Sequence, residues 1–170
     1  MTMRPIRILG DPVLRTECDP VTSFDAELRA LVADLLDTTV GAPGRAAVAA
    51  PQIGVTARVF AWAVEGSQGH LVNPTLTDHS AEQQTDDEGC LSIPGLYFPT
   101  PRAMHVTAHG FDQHGEPVVI HGSGFLARAL QHEYDHLDGR LYVDILRGDT
   151  RRQALRQIRG GRFAAPGRNG

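Results

Sequence analysis

Gln131-His132-Glu133-Tyr134-Asp135-His136-Leu137-Asp138-Gly139 carries the spacing His-Glu-x-x-His. Leu126, Ala129, Leu130 and Leu137 recur at helical intervals through it, and a glycine closes it. The segment therefore reads as an amphipathic helix that starts near Gly124, with Ser123 as its N-cap. Residues four apart on a helix lie one above the other on the same face. His132 and His136 can then address one metal ion, with Glu133 beside them as a candidate general base. In isolation a surface helix with two solvated histidines would look the same. A metal site needs at least a third ligand, which must come from elsewhere in the chain.

The surroundings are those of a globular protein. The chain has 170 residues, 41% hydrophobic and 21% charged, and a formal net charge of −4. That length points to one domain with a sizeable core. With an isoelectric point near 6.0 there is no electrostatic footprint of a nucleic-acid binder. The N-terminus has no long apolar run after its arginines, so no signal peptide is expected, and no stretch reaches membrane-span length. Reduced thiols are then the expectation for Cys18 and Cys90.

Outward from the helix, Ile6-Arg7-Ile8-Leu9 reads as a short extended segment ended by Gly10-Asp11-Pro12. Phe24, Leu28, Leu31, Val32, Leu35 and Leu36 predict an amphipathic helix over residues 24–40, with Ser23 as N-cap and Gly41-Ala42-Pro43-Gly44 as its end. The small-residue run 45–55 suits an edge strand and turn, in which Gln52 must find hydrogen-bond partners if buried. Residues 59–64 and Leu71-Val72 read as antiparallel strands, with Asn73-Pro74 as a strand-ending turn and 77–87 facing solvent. Residues 104–110 and 116–121 form a second hairpin around Asp112-Gln113-His114-Gly115. Cys90, between a glycine and a leucine, fits a small buried hydrophobe as well as a ligand. The six remaining histidines lack ligand spacing and read as surface or turn residues. From Arg147 onward the chain is basic, with a short helix near Ala154 and disorder expected from Gly160. The division is thus a single catalytic domain at 1–147 and a basic tail at 148–170.

Three segments in order resemble the signatures of the peptide deformylases: Ala49-Ala50-Pro51-Gln52-Ile53-Gly54, Glu88-Gly89-Cys90-Leu91-Ser92, and the Gln131–Gly139 helix. The resemblance extends to residues 8–15, Val72-Asn73-Pro74 and Pro101-Arg102-Ala103, and covers the chain from about residue 6 to residue 145. It implies an α+β fold in which antiparallel strands wrap around a central metal-binding helix. It implies Cys90 as the third ligand beside His132 and His136, with Fe(2+) as the ion and Zn(2+), Ni(2+) or Co(2+) as alternatives. Three protein ligands suit a catalytic rather than a closed structural site, and one thiolate with two imidazoles suits iron or zinc. The implied reaction is removal of the formyl group from N-formylmethionyl peptides of newly made proteins, with release of formate. Glu133 would be the base, and the Gln52 amide and the Leu91 backbone N–H would face the oxyanion. Phe125, the stem of Arg128 and Ala129 would line the methionine pocket, with Ala47, Val48 and Gly89 also binding substrate. The strand before Gln52 would pair with the peptide backbone.

The chain departs from the family pattern at Arg45-Ala46-Ala47-Val48-Ala49-Ala50, where most members read Gly-x-Gly-Leu-Ala-Ala, and at Tyr97, where many carry arginine. Arg45 is expected to place a cation at the mouth of the cleft. Ala47 either keeps a glycine-like conformation, at a cost of roughly 1 kcal/mol, or adopts an ordinary strand backbone. These changes motivate a second reading, a paralogue with a shifted N-formyl substrate. A zinc peptidase rests on His-Glu-x-x-His alone. A non-catalytic metal-stabilised module would need neither Glu133 nor Gln52. The expected setting is the cytoplasm, with formylated nascent peptides as partners and the ribosome reached through the basic tail. Neither a membrane nor a specific nucleic acid is expected, and the chain is expected as a monomer or weak dimer.

Overall fold

Strand β2, Val59–Val64, is buried at all but one of its residues in the computed structural model, which describes residues 2–161. β1 (Ala47–Ala49) pairs with one edge of it and β3 (Ser67–Thr77) with the other. β6 (His105–Phe111) and β7 (Pro117–Ser123) complete a five-stranded antiparallel sheet in the order β1-β2-β3-β6-β7. The period-two alternation of a strand then assigns each side chain to a layer. Val48, Val59, Ala61 and Val72 meet Leu28, Val32 and Leu35 of helix α1, Ala26–Val40. Ala47, Ala49, Phe60, Trp62, Leu71, Val106 and Ala108 meet Ala127, Ala129, Leu130 and Leu137 of helix α2, Gly124–Leu137. Each large apolar side chain buried in this way contributes roughly 1.5–3 kcal/mol. The fold is α+β, with antiparallel strands around α2, as the family resemblance implied.

A separate hairpin closes over the other side of α2. β4 (Gln83–Cys90) pairs antiparallel with β5 (Ile93–Ala103), and the register shifts between Gly89 and Cys90. A bulge of this kind re-aims the side chain that follows it, here Cys90. The hairpin packs Ile93, Leu96 and Phe98 against Leu141, Tyr142, Val143 and Leu146. Helix α3 (Gly148–Arg159) adds Ala154 to the same cluster, with Ile158 packed beside it. At the end of α2, Gly139 has φ +71, and a Cβ there would lie 2.8 Å from the Arg15 carbonyl oxygen. Glycine is required on both counts.

Several local expectations change. The side chain that caps α1 is Asp25, which accepts from the Leu28 N–H at 3.1 Å; Ser23 lies outside the helix. Ser123 stands at the N-cap position of α2, but its side chain makes no capping bond. β3 does not end at Asn73-Pro74 but runs through it on a bulge, where Asn73 adopts φ 49. That side chain accepts from Val21 N–H and donates to Val21 O, which ties the bulge to the segment before α1. β5 was not anticipated, because Pro94, Pro99 and Pro101 argue against a strand. Gly160 and Gly161 close α3, while the disorder expected beyond them falls at 162–170, outside the described residues.

Candidate active site

The inward face of α2 is polar where the core of a helix is usually apolar. Arg128, Gln131, His132, Glu133 and His136 are all buried. Gln131 locks the helix to β5, accepting from Ala103 N–H at 3.1 Å and donating to Ala103 O at 3.0 Å. His132 and His136 stand one turn apart, their Nε2 atoms approach to 3.1 Å, and Cys90 Sγ lies 3.4 Å from His136 Nε2. Cys90, His132 and His136 are buried, and their three ligand atoms all fall within 4.8 Å of one another.

These residues fit a metal ion. Ligand atoms about 2.0–2.3 Å from a common tetrahedral centre stand roughly 3.3–3.6 Å apart, close to the spacings observed. The Nδ1–H of His132 donates to Glu88 Oε1 at 2.5 Å, which orients the ring with Nε2 toward Cys90 and His136. Burial alone would lower the proton affinity of His132, but bonds to Cys90 and Glu88 and the nearby Glu133 carry it well above the ordinary value. The surroundings of His132 thus favour a positive charge. At His136 burial and the neighbouring His132 act in the opposite direction and hold the ring neutral, the form in which a histidine binds a metal.

Glu88 is the residue that sequence reading placed in a motif without giving it a role. Arg102 grips it with a fork, Nε to Oε2 at 3.0 Å and Nη2 to Oε1 at 2.7 Å, and Arg128 Nη1 donates to Oε2 at 2.7 Å. Arg102 also reaches Asp135 at 2.7 Å. Burial would raise the Glu88 pKa, yet the bonds from His132 and Arg102 hold it far below the usual carboxylate range. A histidine ligand almost always donates its second ring nitrogen to a carboxylate, a backbone carbonyl or water. That regularity does not single out one of the 20 acids of the chain.

Glu133 follows His132 and is 3% exposed. Burial pushes its carboxyl up to about 7, against a partial pull downward from His132. Its Oε2 has no protein partner. Gln52 sits in a short 3₁₀ turn after β1, and its Oε1 accepts from Ala49 N–H at 2.9 Å. That fixes the amide, so Nε2 points to Ser92 Oγ at 3.3 Å and Cys90 Sγ at 3.7 Å.

A cleft of about 310 Å³ opens onto these groups. Its lining includes Ala47, Gln52, Gly89, Cys90, Leu91, Phe125, Arg128, Ala129, His132 and Glu133, together with Glu88, Asp87 and Tyr97. The Tyr97 ring covers Gly89, where a Cβ would stand 2.4 Å from it. Val48 is not brought to the cleft, since its side chain is turned into the α1 layer. Arg45 does not stand at the mouth either. Its guanidinium donates to Thr38 O at 2.7 Å and satisfies a carbonyl in the last turn of α1. Ala47 has an ordinary strand backbone, so no glycine-like strain arises there.

Three ligand-type side chains with a buried carboxylate beside them fit the class of metal-dependent hydrolases. The model of the family "Polypeptide deformylase" matches residues 3–152. The peptide deformylase of Acidothermus cellulolyticus is 56% identical over 164 residues, covering 96% of this chain and 90% of that protein. Peptide deformylase 2 of Streptomyces coelicolor is 45% identical, covering 92% and 89%. The crystal structure of a peptide deformylase from Legionella pneumophila superposes with a TM-score of 0.85 at 40% identity, covering 95% of this chain and 96% of that one. The chain belongs to the polypeptide deformylase family. It is an enzyme of metal-dependent hydrolysis that removes the N-terminal formyl group from nascent peptides.

Proposed function

We propose that Cys90, His132 and His136 hold one divalent ion, with Fe(2+) as the native metal and Zn(2+), Ni(2+) or Co(2+) as substitutes, and that the substrate is an N-formylmethionyl peptide. The observation that carries this reading is the convergence of Cys90 Sγ and the two Nε2 atoms beside a buried, partnerless Glu133 oxygen. One thiolate and two imidazoles suit a borderline-soft ion. When bound, such an ion supplies Lewis-acid activation of a water molecule and of the formyl carbonyl.

The chain's own groups do the rest. Glu133 takes a proton as water adds to the formyl carbon. Gln52 Nε2, held by the Ala49 bond, and the Leu91 N–H donate to the oxygen on which charge develops, where a single donor is worth on the order of a hundredfold or more in rate. The carbon–nitrogen bond then breaks, Glu133 returns its proton to the leaving amine, and formate departs. Phe125, the Arg128 stem, Ala129 and Gly89 receive the methionine side chain. Antiparallel alternation turns the Ala46 and Val48 backbone toward β2, so the Ala47 N–H and C=O face the free edge of β1 for pairing with the peptide. The partners are formylated nascent peptides, met in the cytoplasm, with α3 and the basic tail toward the ribosome and the enzyme a monomer or weak dimer. Among the described residues no helix is long and apolar enough to cross a membrane. A shifted substrate preference loses its main support, because Arg45 faces away and Ala47 is unstrained.

The test is formate release from a formyl-Met dipeptide by anaerobically prepared, Fe(2+)-loaded protein. Wild type should turn over, and Glu133→Ala should be nearly inactive while retaining metal. Equal activity in the two would remove Glu133 from the mechanism. Metal binding without turnover by wild type would overturn the substrate assignment.

A further inference from the structure

We propose that Arg128 is a positioning residue for His132: it fixes Glu88, and through Glu88 the histidine ring, so that one side chain both lines the substrate cleft and secures the metal. The inference rests on the assignment of His132 as a ligand. Glu88 receives four donors, two on each oxygen. Oε1 takes His132 Nδ1 and Arg102 Nη2, while Oε2 takes Arg102 Nε and Arg128 Nη1. These fill the roughly four acceptor sites of a carboxylate.

The two arginines are anchored differently. Arg102 is tied at its far end to Asp135 on α2 itself. Arg128 Nη1 also donates to Thr100 O at 2.8 Å, a backbone atom of β5. A carboxylate held by the Arg102 fork alone can pivot about that fork. The Arg128 bond at Oε2 stops the pivot and ties Glu88 to α2, the helix that carries His132, while Thr100 O holds the guanidinium in place. Arg128 is 3% exposed, and its polar end has no other charged partner among the described residues. Of the two arginines it is the one that reaches the cleft. A substrate side chain therefore packs against a member of the chain of bonds that ends at His132.

The test uses Zn(2+)-loaded protein and two readouts. The first is the rate of metal loss to an excess of chelator, and the second is the His132 ring Nδ1–H resonance. Arg128→Met keeps the apolar stem and removes the guanidinium. It should lose metal about tenfold faster, the low end of the range for groups that support a metal ligand, and the resonance should shift and exchange faster with water. Arg128→Gln keeps a polar end but is uncharged and stops two bonds short of Nη1, which alone donates to both Glu88 Oε2 and Thr100 O, and should show a comparable acceleration. If Arg128→Met does not fold, Arg128→Gln decides, and a release rate equal to wild type overturns the proposal. Unchanged release and resonance in a folded Arg128→Met also overturn it. Metal retention by Cys90→Ser equal to wild type would instead refute the ligand assignment, a separate failure.

Discussion

Helices α1 and α2 are almost equal in length, 15 and 14 residues, and cover opposite faces of the same sheet. They are stabilised in different ways. α1 buries Leu28, Val32 and Leu35, and its two buried polar residues bond within the helix, Thr38 and Thr39 donating to Asp34 O and Leu35 O. α2 buries five polar or charged residues, and Arg128, Gln131 and His132 find partners on β4 and β5. Only two buried side-chain atoms among the described residues lack partners, Glu133 Oε2 and His136 Nδ1, and both are on α2. α1 is held by buried area, which tolerates repacking; α2 is held by particular bonds, which do not. The proposed chemistry lies on the second kind of helix, because a metal ligand and a general base must be fixed in direction as well as buried.

The largest effect that would break this contrast is expected at Glu88. Glu88→Ala leaves Arg102 and Arg128 buried without their shared anion and should cost about 3–5 kcal/mol in denaturant unfolding, along with metal. A loss below 1 kcal/mol would mean that the network does not hold α2. Leu35→Ala on α1 should cost about 3 kcal/mol through the cavity it leaves, while kcat/KM of the folded protein stays at the wild-type value. A fall in kcat/KM would mean that α1 also shapes the site.

The third prediction concerns pH. Burial lifts the Glu133 carboxyl from 4.5 to about 7 in the metal-free protein. Between those values the folded state holds more protons than the unfolded state, so wild-type stability falls as pH rises through that window. The full change is on the order of 3 kcal/mol. Glu133→Gln lacks this titration, so its stability relative to wild type should climb between pH 5 and pH 8. A difference independent of pH would show that Glu133 is not desolvated. The smallest effect is at Asp25, where Asp25→Ala removes the cap of α1 and should cost about 1 kcal/mol in thermal unfolding with activity unchanged.

What the sequence made legible follows the same division. The period of Leu28, Val32 and Leu35 marked α1 directly, and the apolar run of β2 and the turn of the β6–β7 hairpin marked most of the main sheet. At the site, His-Glu-x-x-His is local and could be read, and the Cys90 and Gln52 motifs could be read by resemblance. Glu88 and Arg102 meet Arg128 and Asp135 of α2 only through tertiary structure, at separations that follow no helical or strand period. β5 was hidden by its prolines. Pro99 and Pro101 lie two apart and so present their missing N–H to the same outer edge of a two-stranded sheet, where no ladder bond is lost. Ser23 was the expected cap and Asp25 is the actual one: both are good capping residue types, and sequence alone leaves helix starts uncertain by a residue or two.

The ligand set is the centre of this account, and cobalt tests it most directly. Wild type loaded anaerobically with Co(2+) and desalted should retain one ion per chain and show a sulfur-to-cobalt charge-transfer band. Cys90→Ser should lose the band and most of the metal, and His132→Ala and His136→Ala should retain little metal. A wild-type band and metal content that persist unchanged in Cys90→Ser would contradict the assignment of Cys90, and with it the three-ligand site at which Glu133 acts.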